Sequence, residues 1–318
     1  IGLFCILLMG CGSTDSKSSA ELTGSSSEGT TVLTSSTDET TVSSTQNDTL
    51  VIGLYSDIVS LDPAFAYDHV TNQVVNQITE GLLTLDSDGV IQPKLCSSWK
   101  AVDSTTYVYE IRDDVTFSDG TPMSMEDVLF SVKRHMDTEL ASYVAWFYDN
   151  VDSIEQTGDW ELTVKLTQPD ASWQYAFATT AGHIISKAYY DEHSDEFGTP
   201  TGGILGTGAY VFDSWTTGSE IVLKASDNYW TGEVPEVRTI DYQIIEDDNT
   251  RITAMANGQI DMTLDPPTEL LSTLENSENV SLSDVPSFSV LYLALNCQKA
   301  PFDDVNIRKA IGYAIDKK

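Results

Sequence analysis

Leu50-Val51-Ile52-Gly53-Leu54 opens the part of the chain able to fold, and its continuation decides the architecture. The short apolar run reads as a strand. It empties into a turn-rich segment, Ser56 to Tyr67, in which Pro63 bars a helix. Val70, Val74, Val75, Ile78 and Leu82 then recur at helical spacing, which predicts a helix from Val70 to Leu85. A strand emptying into a loop is a common place to meet a ligand.

Downstream the period changes. Trp99 to Phe117 alternates, with Tyr107, Tyr109 and Ile111 opposite Thr106, Val108, Glu110 and Arg112, and reads as one half-buried antiparallel strand. Asp119-Gly120-Thr121-Pro122 is turn chemistry, and Ser124-Met125-Glu126-Asp127 is a helix start signal. Glu161 to Leu166 alternates again, so residues 90 to 185 look like a small α+β insertion. Strands are predicted at Tyr210 to Trp215, Glu220 to Ala225, Thr239 to Ile245 and Ser289 to Leu295, and a helix at Val305 to Ile315, while Ile260 to Leu264 ends in Pro266-Pro267. Asp248 or Asn249 reads as a helix N-cap rather than a metal ligand, because calcium loops alternate oxygen ligands with spacers. Strands followed by helices, then strands again, imply an α/β body carrying an inserted piece.

Upstream, Ile1 to Met9 is uncharged but shorter than the roughly 18 residues a bilayer span needs. It suits the apolar core of a secretory signal. It ends in Leu8-Met9-Gly10-Cys11, which resembles a bacterial lipobox, so Cys11 is the expected lipidation site. From Gly12 to Thr49, 21 of 38 residues are Ser or Thr and none is aromatic, a composition that cannot offset chain entropy by burial; a disordered tether is expected. The absence of an initiating Met, and the uncapped helical pattern before Asp316-Lys317-Lys318, lead us to expect a longer chain.

The 318 residues hold 49 acidic against 16 basic side chains, a net charge of −33 that repels nucleic acid and anionic lipid alike. With 41% apolar residues the part after residue 50 can still bury an ordinary core. Beyond Cys5 and Cys11 only Cys96 and Cys297 remain, too far apart for a structural zinc site; they read as two thiols or as one disulfide in an oxidising compartment.

Catalytic signatures are weak. Ser97-Ser98-Trp99-Lys100 matches S-x-x-K and Ser226-Asp227-Asn228 matches S-D-N, but the first enters a strand, where Lys does not lie one turn from Ser, and no Lys-Thr-Gly comes after. His69, His135, His183 and His193 are scattered, and Asp191-Glu192-His193 reads as a solvated helix face. Neither a cofactor nor a metal is expected.

Four segments in order resemble the extracellular solute-binding proteins, family 5, of ABC importers for oligopeptides, dipeptides and nickel. These are Ser60-Leu61-Asp62-Pro63 with Glu80-Gly81-Leu82; Tyr109 to Val128 with Phe117, Asp119-Gly120 and Glu126-Asp127; Gly206-Thr207-Gly208-Ala209-Tyr210 with Asn228-Tyr229-Trp230; and Asn296 through Pro301-Phe302-Asp303-Asp304 to Arg308 and Ala314-Ile315-Asp316. Ala209 stands where the family usually has Pro, a small departure. The resemblance implies a periplasmic-binding-protein-like (type II) two-lobe α/β clamshell with an inserted α+β subdomain. It divides the chain into a signal (1–10), a tether (11–49), a first lobe (50–85 and 190–285), the insertion (86–189), and a crossover into a truncated second lobe (286–318).

The same resemblance implies a non-enzymatic, monomeric receptor, lipid-anchored on the outer face of a bacterial membrane or in a periplasm, that passes peptides to ABC importer permease subunits. Nickel-chelate, haem or sugar binding by the same architecture is the alternative, and an extracytoplasmic hydrolase the alternative of another class. By motif position Phe65, Tyr67, Asp68, Gly206, Thr207, Gly208 and Tyr210 are expected to face the cleft, with Tyr292 and Asn296 where the chain crosses to the second lobe. Tyr67 and Tyr292 read equally as core aromatics, and Asp68 reads either as a partner for a peptide amine or as a solvated loop acid.

Overall fold

The computed structural model describes residues 48–284 and 292–316, which fall into two units: one ending at Leu282 and one beginning at Ser283. The signal and nearly all of the tether lie outside the described residues. No helix among those described is long and apolar enough to cross a membrane.

In the larger unit β1 (Thr49–Leu54) leads through a 3-10 turn at Pro63–Phe65 into α1 (His69–Ile78). Next come β2 (Leu83–Leu85), β3 (Ile91–Pro93), β4 (Cys96–Ala101), β5 (Thr106–Ile111) and α2 (Met125–Lys133). After them are β6 (Val151–Gly158), β7 (Glu161–Leu166), α3 (Trp173–Ala176) and α4 (Lys187–Glu192). The unit closes with β8 (Tyr210–Thr216), β9 (Glu220–Ala225), β10 (Thr239–Ile244), α5 (Asp248–Ala256), β11 (Met262–Thr263) and α6 (Leu271–Glu275).

Five strands make a mixed sheet ordered β11-β1-β10-β9-β8. Within it β1 runs parallel to β10, Thr49 facing Thr239, and parallel to β11, while β9 and β8 are antiparallel. A four-stranded antiparallel sheet, β4-β5-β7-β6, lies within the expected insertion, and β2 and β3 form a separate hairpin. Each of the two larger sheets has its own core. Val70, Val74 and Ile78 of α1 lie against Ile52, Ile221 and Tyr242, whereas Tyr109, Phe117, Val128, Leu162, Val164 and Phe177 centre the other cluster.

The chain passes between the cores at one neck. Leu82 N donates to Gly182 O at 3.1 Å and Ile184 N donates to Glu80 O at 3.0 Å, so the outgoing and returning segments lie side by side. Helix α2 starts where the sequence places it: Ser124 and Asp127 form a reciprocal capping box, and Asp127 Oδ1 also accepts from Lys187 N at 2.9 Å.

Four expectations need correction. Helix α1 stops at Ile78, not Leu85, because Thr79 is extended and Glu80–Leu82 pair across the neck. The long strand from Trp99 is a hairpin, β4 and β5, folded where Asp103 Oδ1 accepts from Thr105 N at 2.8 Å. The N-cap of α5 is Asp247, whose carboxylate accepts from Thr250 N at 2.8 Å. Tyr292–Leu295 carry no strand, and the first half of that predicted element lies outside the described residues.

Taken by itself, the smaller unit contains α7 (Val305–Ala314), capped by Asp304, whose carboxylate accepts from Asn306 N at 2.8 Å.

Candidate functional site

Parallel strands end on the same side, so the loops after β1, β10 and β11 share one edge of the mixed sheet, and outside the carboxyl ends of such strands is where open α/β sheets bind ligands. The loop after β1 is held from below. Asp57 accepts from Trp215 Nε1 at 2.9 Å and from Gly218 N at 2.6 Å, while Val59 N donates to Thr71 Oγ1 at 3.0 Å. Asp62, buried, takes a bidentate contact from Arg134 at 3.0 and 2.7 Å. The guanidinium lies 4.7 Å from the Tyr190 ring. This pair seats the 3-10 turn at the N-terminal side of Phe65.

Beyond that support the edge is open. Phe65 and Tyr67 each meet Tyr143 edge-to-face, at 5.2 Å between ring centroids. Tyr67 is 61% exposed and Tyr143 is 52% exposed. Tyr143 comes from the loop between α2 and β6, fixed by its N–H donating to Ala64 O at 2.9 Å. Asp68 caps α1 through Oδ1, which accepts from Thr71 N at 2.9 Å, while its Oδ2 is buried without a hydrogen-bond partner. His69 Nε2 lies 3.1 Å from Asp265 of the loop after β11. Burial, then Asp265 and Asp68, push the Tyr55 hydroxyl above its usual range.

The glycine-rich segment is engaged inside the protein. Thr207, 1% exposed, donates through Oγ1 to Glu80 Oε2 at 2.9 Å. A Cβ at Gly206 would stand 2.2 Å from Ile78 O, and one at Gly208 would stand 2.3 Å from Gln77 O, so only glycine lets this segment pass the end of α1. Tyr210 is half-buried, its hydroxyl donating to Val237 O at 3.0 Å. Thus Phe65, Tyr67 and Asp68 come together, whereas Gly206 to Tyr210 brace the helix beneath them. In the smaller unit Tyr292 is 79% exposed and Asn296 Oδ1 accepts from Gln298 N at 3.0 Å. Cys11 lies outside the described residues.

Glu80 also accepts from Tyr229 Oη at 2.7 Å and Trp230 Nε1 at 2.8 Å, and pairs with Lys94 Nζ at 2.9 Å. Burial opposes the Lys94 charge, but Glu80 and Tyr229 more than reverse this and hold its ammonium above the usual range. Motif residues far apart in sequence therefore converge on one carboxylate.

Two histidines are buried and neutral. Ser142 Oγ donates to Ala64 O, so His135 Nδ1–H donates to Ser142 Oγ at 2.9 Å. By the same reasoning Thr79 Oγ1 donates to Val75 O and receives the Nδ1–H of His183 at 2.7 Å. Burial pushes both imidazoles down to about 3, with Arg134 adding to the effect at His135.

Sequence reading missed Tyr55, Tyr143 and Asp265. Tyr143 stands in the unpatterned run Tyr143-Val144-Ala145-Trp146, whose aromatic density was its only signal. Among the described residues no group of three His, Cys, Asp or Glu is placed to hold a metal ion. Ser97 sits on β4, donating to Glu110 O at 3.2 Å, and His193 ends α4 with its ring on Tyr189. Cys96 is buried, which pushes its thiol up to about 12, and Cys297 is exposed; both are free thiols.

Residues 90–318 match the family described as bacterial extracellular solute-binding proteins, family 5 Middle. A probable D,D-dipeptide-binding periplasmic protein of Escherichia coli (strain K12) is 31% identical over 280 residues, covering 85% of this chain and 53% of that protein. The chain thus spans about half the length of the curated relatives it matches. Among solved structures, the Escherichia coli murein tripeptide binding protein MppA superposes with a TM-score of 0.77 at 24% identity, over 85% of this chain and 56% of that one. The oligopeptide-binding protein AppA from Bacillus subtilis, in complex with a nonapeptide, gives 0.72 at 24% identity over 84% and 54%. The shared fold is that of the type II periplasmic binding proteins. On sequence and fold together, this chain belongs to the bacterial extracellular solute-binding proteins of family 5.

Proposed function

We propose that the protein containing this chain captures extracellular peptides and passes them to an ABC importer, changing no covalent bond in its cargo. The observation that carries the reading is the open wall of Phe65, Tyr67 and Tyr143 beside Asp68, at the carboxyl ends of parallel strands. Exposed aromatic rings on a braced loop offer a peptide large contact area at little entropic cost. The names of the relatives, which speak of a dipeptide, a murein tripeptide and a nonapeptide, support the same class of guest.

In this proposal residues 50–85 and 190–285 form the first lobe, 86–189 are inserted in it, and 286–318 begin the crossover to a second lobe, with Tyr292 and Asn296 at the cleft. Gly206, Thr207, Gly208 and Tyr210 act beneath the binding surface. A guest touching both lobes stabilises only the closed arrangement, and closure excludes water from the polar groups around it. A lipid at Cys11 and the 11–49 tether keep a monomeric receptor beside its permease on the outer face of the membrane.

Thermal melting of the full-length protein against short peptides, sugars and nickel chelates tests this, because a ligand at 100 times its dissociation constant adds about 2.7 kcal/mol. Upward shifts with peptides are expected. A shift confined to a sugar or to a metal chelate overturns the assignment.

A further inference from the structure

We propose that Ser142 and His135, both buried between α2 and β6, are positioning residues: without touching the guest, they hold the Tyr143 ring where the guest meets it and so set peptide affinity. The inference rests on the peptide-capture reading and carries that site into the segment between α2 and β6.

Ser142 Oγ is a node whose capacity is filled. It donates to Ala64 O at 3.0 Å, and it accepts from His135 Nδ1 at 2.9 Å and from Val144 N at 3.3 Å. A hydroxyl has one proton and two lone pairs, so all three are engaged. The imidazole is itself held in place, its ring lying on that of Tyr148 at 5.2 Å between centroids and 22° between planes. On the other side Ala64 O also receives Tyr143 N at 2.9 Å, while Ala64 N donates to Asp62 Oδ1 at 2.9 Å. A single peptide carbonyl of the Pro63–Phe65 turn therefore anchors the loop twice, by a main-chain and by a side-chain donor.

The loop does not rest there by its own preference. Ala141 keeps φ at +51°, a left-handed conformation unfavourable for alanine that, among the described non-glycine residues, only Asp265 shares. Such strain persists where surrounding contacts over-determine it, and it concentrates at ligand clamps. The contacts that offset it are those of Ser142 and Tyr143 with Ala64 O. What they deliver to the surface is one half-exposed ring, since Tyr143 is the shared partner of both Phe65 and Tyr67. Loss of the node would take the middle member from the wall and leave the other two in place. Reciprocity adds that a guest preferring the docked loop stabilises the docking by the same factor.

The test is a double-mutant cycle on the full-length protein, read by thermal melting and by calorimetric titration with Ala-Phe-Ala and Ala-Ala-Phe-Ala-Ala. Ser142→Ala should weaken binding of the tighter probe about tenfold. His135→Phe, which keeps a ring against Tyr148 but has no Nδ1–H, should weaken it about threefold or more. Once Tyr143 is gone the node has nothing to position. In Tyr143→Ala, itself about tenfold weaker, adding Ser142→Ala should change affinity less than about twofold, while the melting temperature still falls as in Ser142→Ala alone. A merely structural serine would lower the melting temperature and leave affinity unmoved, and that result overturns the inference. So does an equal affinity loss with and without Tyr143, or unchanged affinity in Tyr143→Ala. Should Ser142→Ala show no cooperative melt, amide exchange in the unaltered protein decides: saturating probe must slow exchange of Tyr143 N–H, and exchange indifferent to the probe overturns the inference. If neither probe binds the unaltered protein, peptide capture falls and the inference falls with it.

Discussion

The neck between the two cores and the open edge of the mixed sheet both concentrate polar and aromatic side chains, yet they treat them oppositely. Around Glu80 every strong donor has a recipient: Thr207, Lys94, Tyr229 and Trp230 all meet one carboxylate, and a short distance along the chain Asp62 takes both arms of Arg134. At the edge Tyr67 and Tyr143 turn exposed rings outward, and Asp68 keeps an oxygen without a donor. Many residues that make the family recognisable build the joint, whereas the groups left available for a guest lie in a loop and beside it. The Glu80 network confers a fixed shape, whereas the exposed rings of Tyr67 and Tyr143 leave contact area for a partner.

The sharpest way to break this comparison is Asp62→Ala, which strands a buried guanidinium. A loss of about 3–5 kcal/mol in denaturant unfolding of the full-length protein is expected, and a loss below about 1 kcal/mol would remove the joint from its structural role.

Acid should act next. His135 and His183 are held near 3 when folded and return to about 6.5 when unfolded, so below that value the unfolded state binds more protons. Their neutral burial carries no penalty above pH 6.5, and stability falls as pH drops from there towards 3. At pH 5 the loss is roughly 2 kcal/mol per histidine. Unfolding midpoints that stay flat between pH 7 and pH 5 would contradict the burial of these rings.

Glu80→Gln keeps an acceptor oxygen but removes the charge facing Lys94, and a smaller loss of about 1–2 kcal/mol is expected by the same unfolding measurement. Tyr67→Ala marks the other limb of the comparison: its effect on stability should stay within about 0.5 kcal/mol. Peptide affinity of the full-length variant, measured by titration, should nonetheless fall about tenfold. A large stability loss with unchanged affinity would make Tyr67 part of the core instead.

Sequence periodicity carried β1, β7, β9 and the start of α2 well, since these are read from neighbouring residues alone. It failed at the end of α1 for a definite reason. Ile78 and Leu82 fall on one helical face, so apolar spacing continues past the true end, and the stop comes from pairing with His183, a partner about a hundred positions away. The convergence of Thr207, Tyr229 and Trp230 on Glu80 was likewise invisible, although each belongs to a family motif, because order along a chain does not say which side chains meet. Phe65, Tyr67 and Asp68 are legible as a loop after a strand. Tyr143 is not, for its loop has no period and its place depends on one backbone hydrogen bond to Ala64.

The chain departs at Leu82 and comes back at Gly182, but the stretch between them is also fastened to the mixed-sheet body by Arg134 on Asp62, by Tyr143 N on Ala64 O and by Ser118 N on Gly206 O. Removing that stretch would leave the Asp62 carboxylate without Arg134 and take Tyr143 from the open edge, so it is a working part of that edge and not a spare.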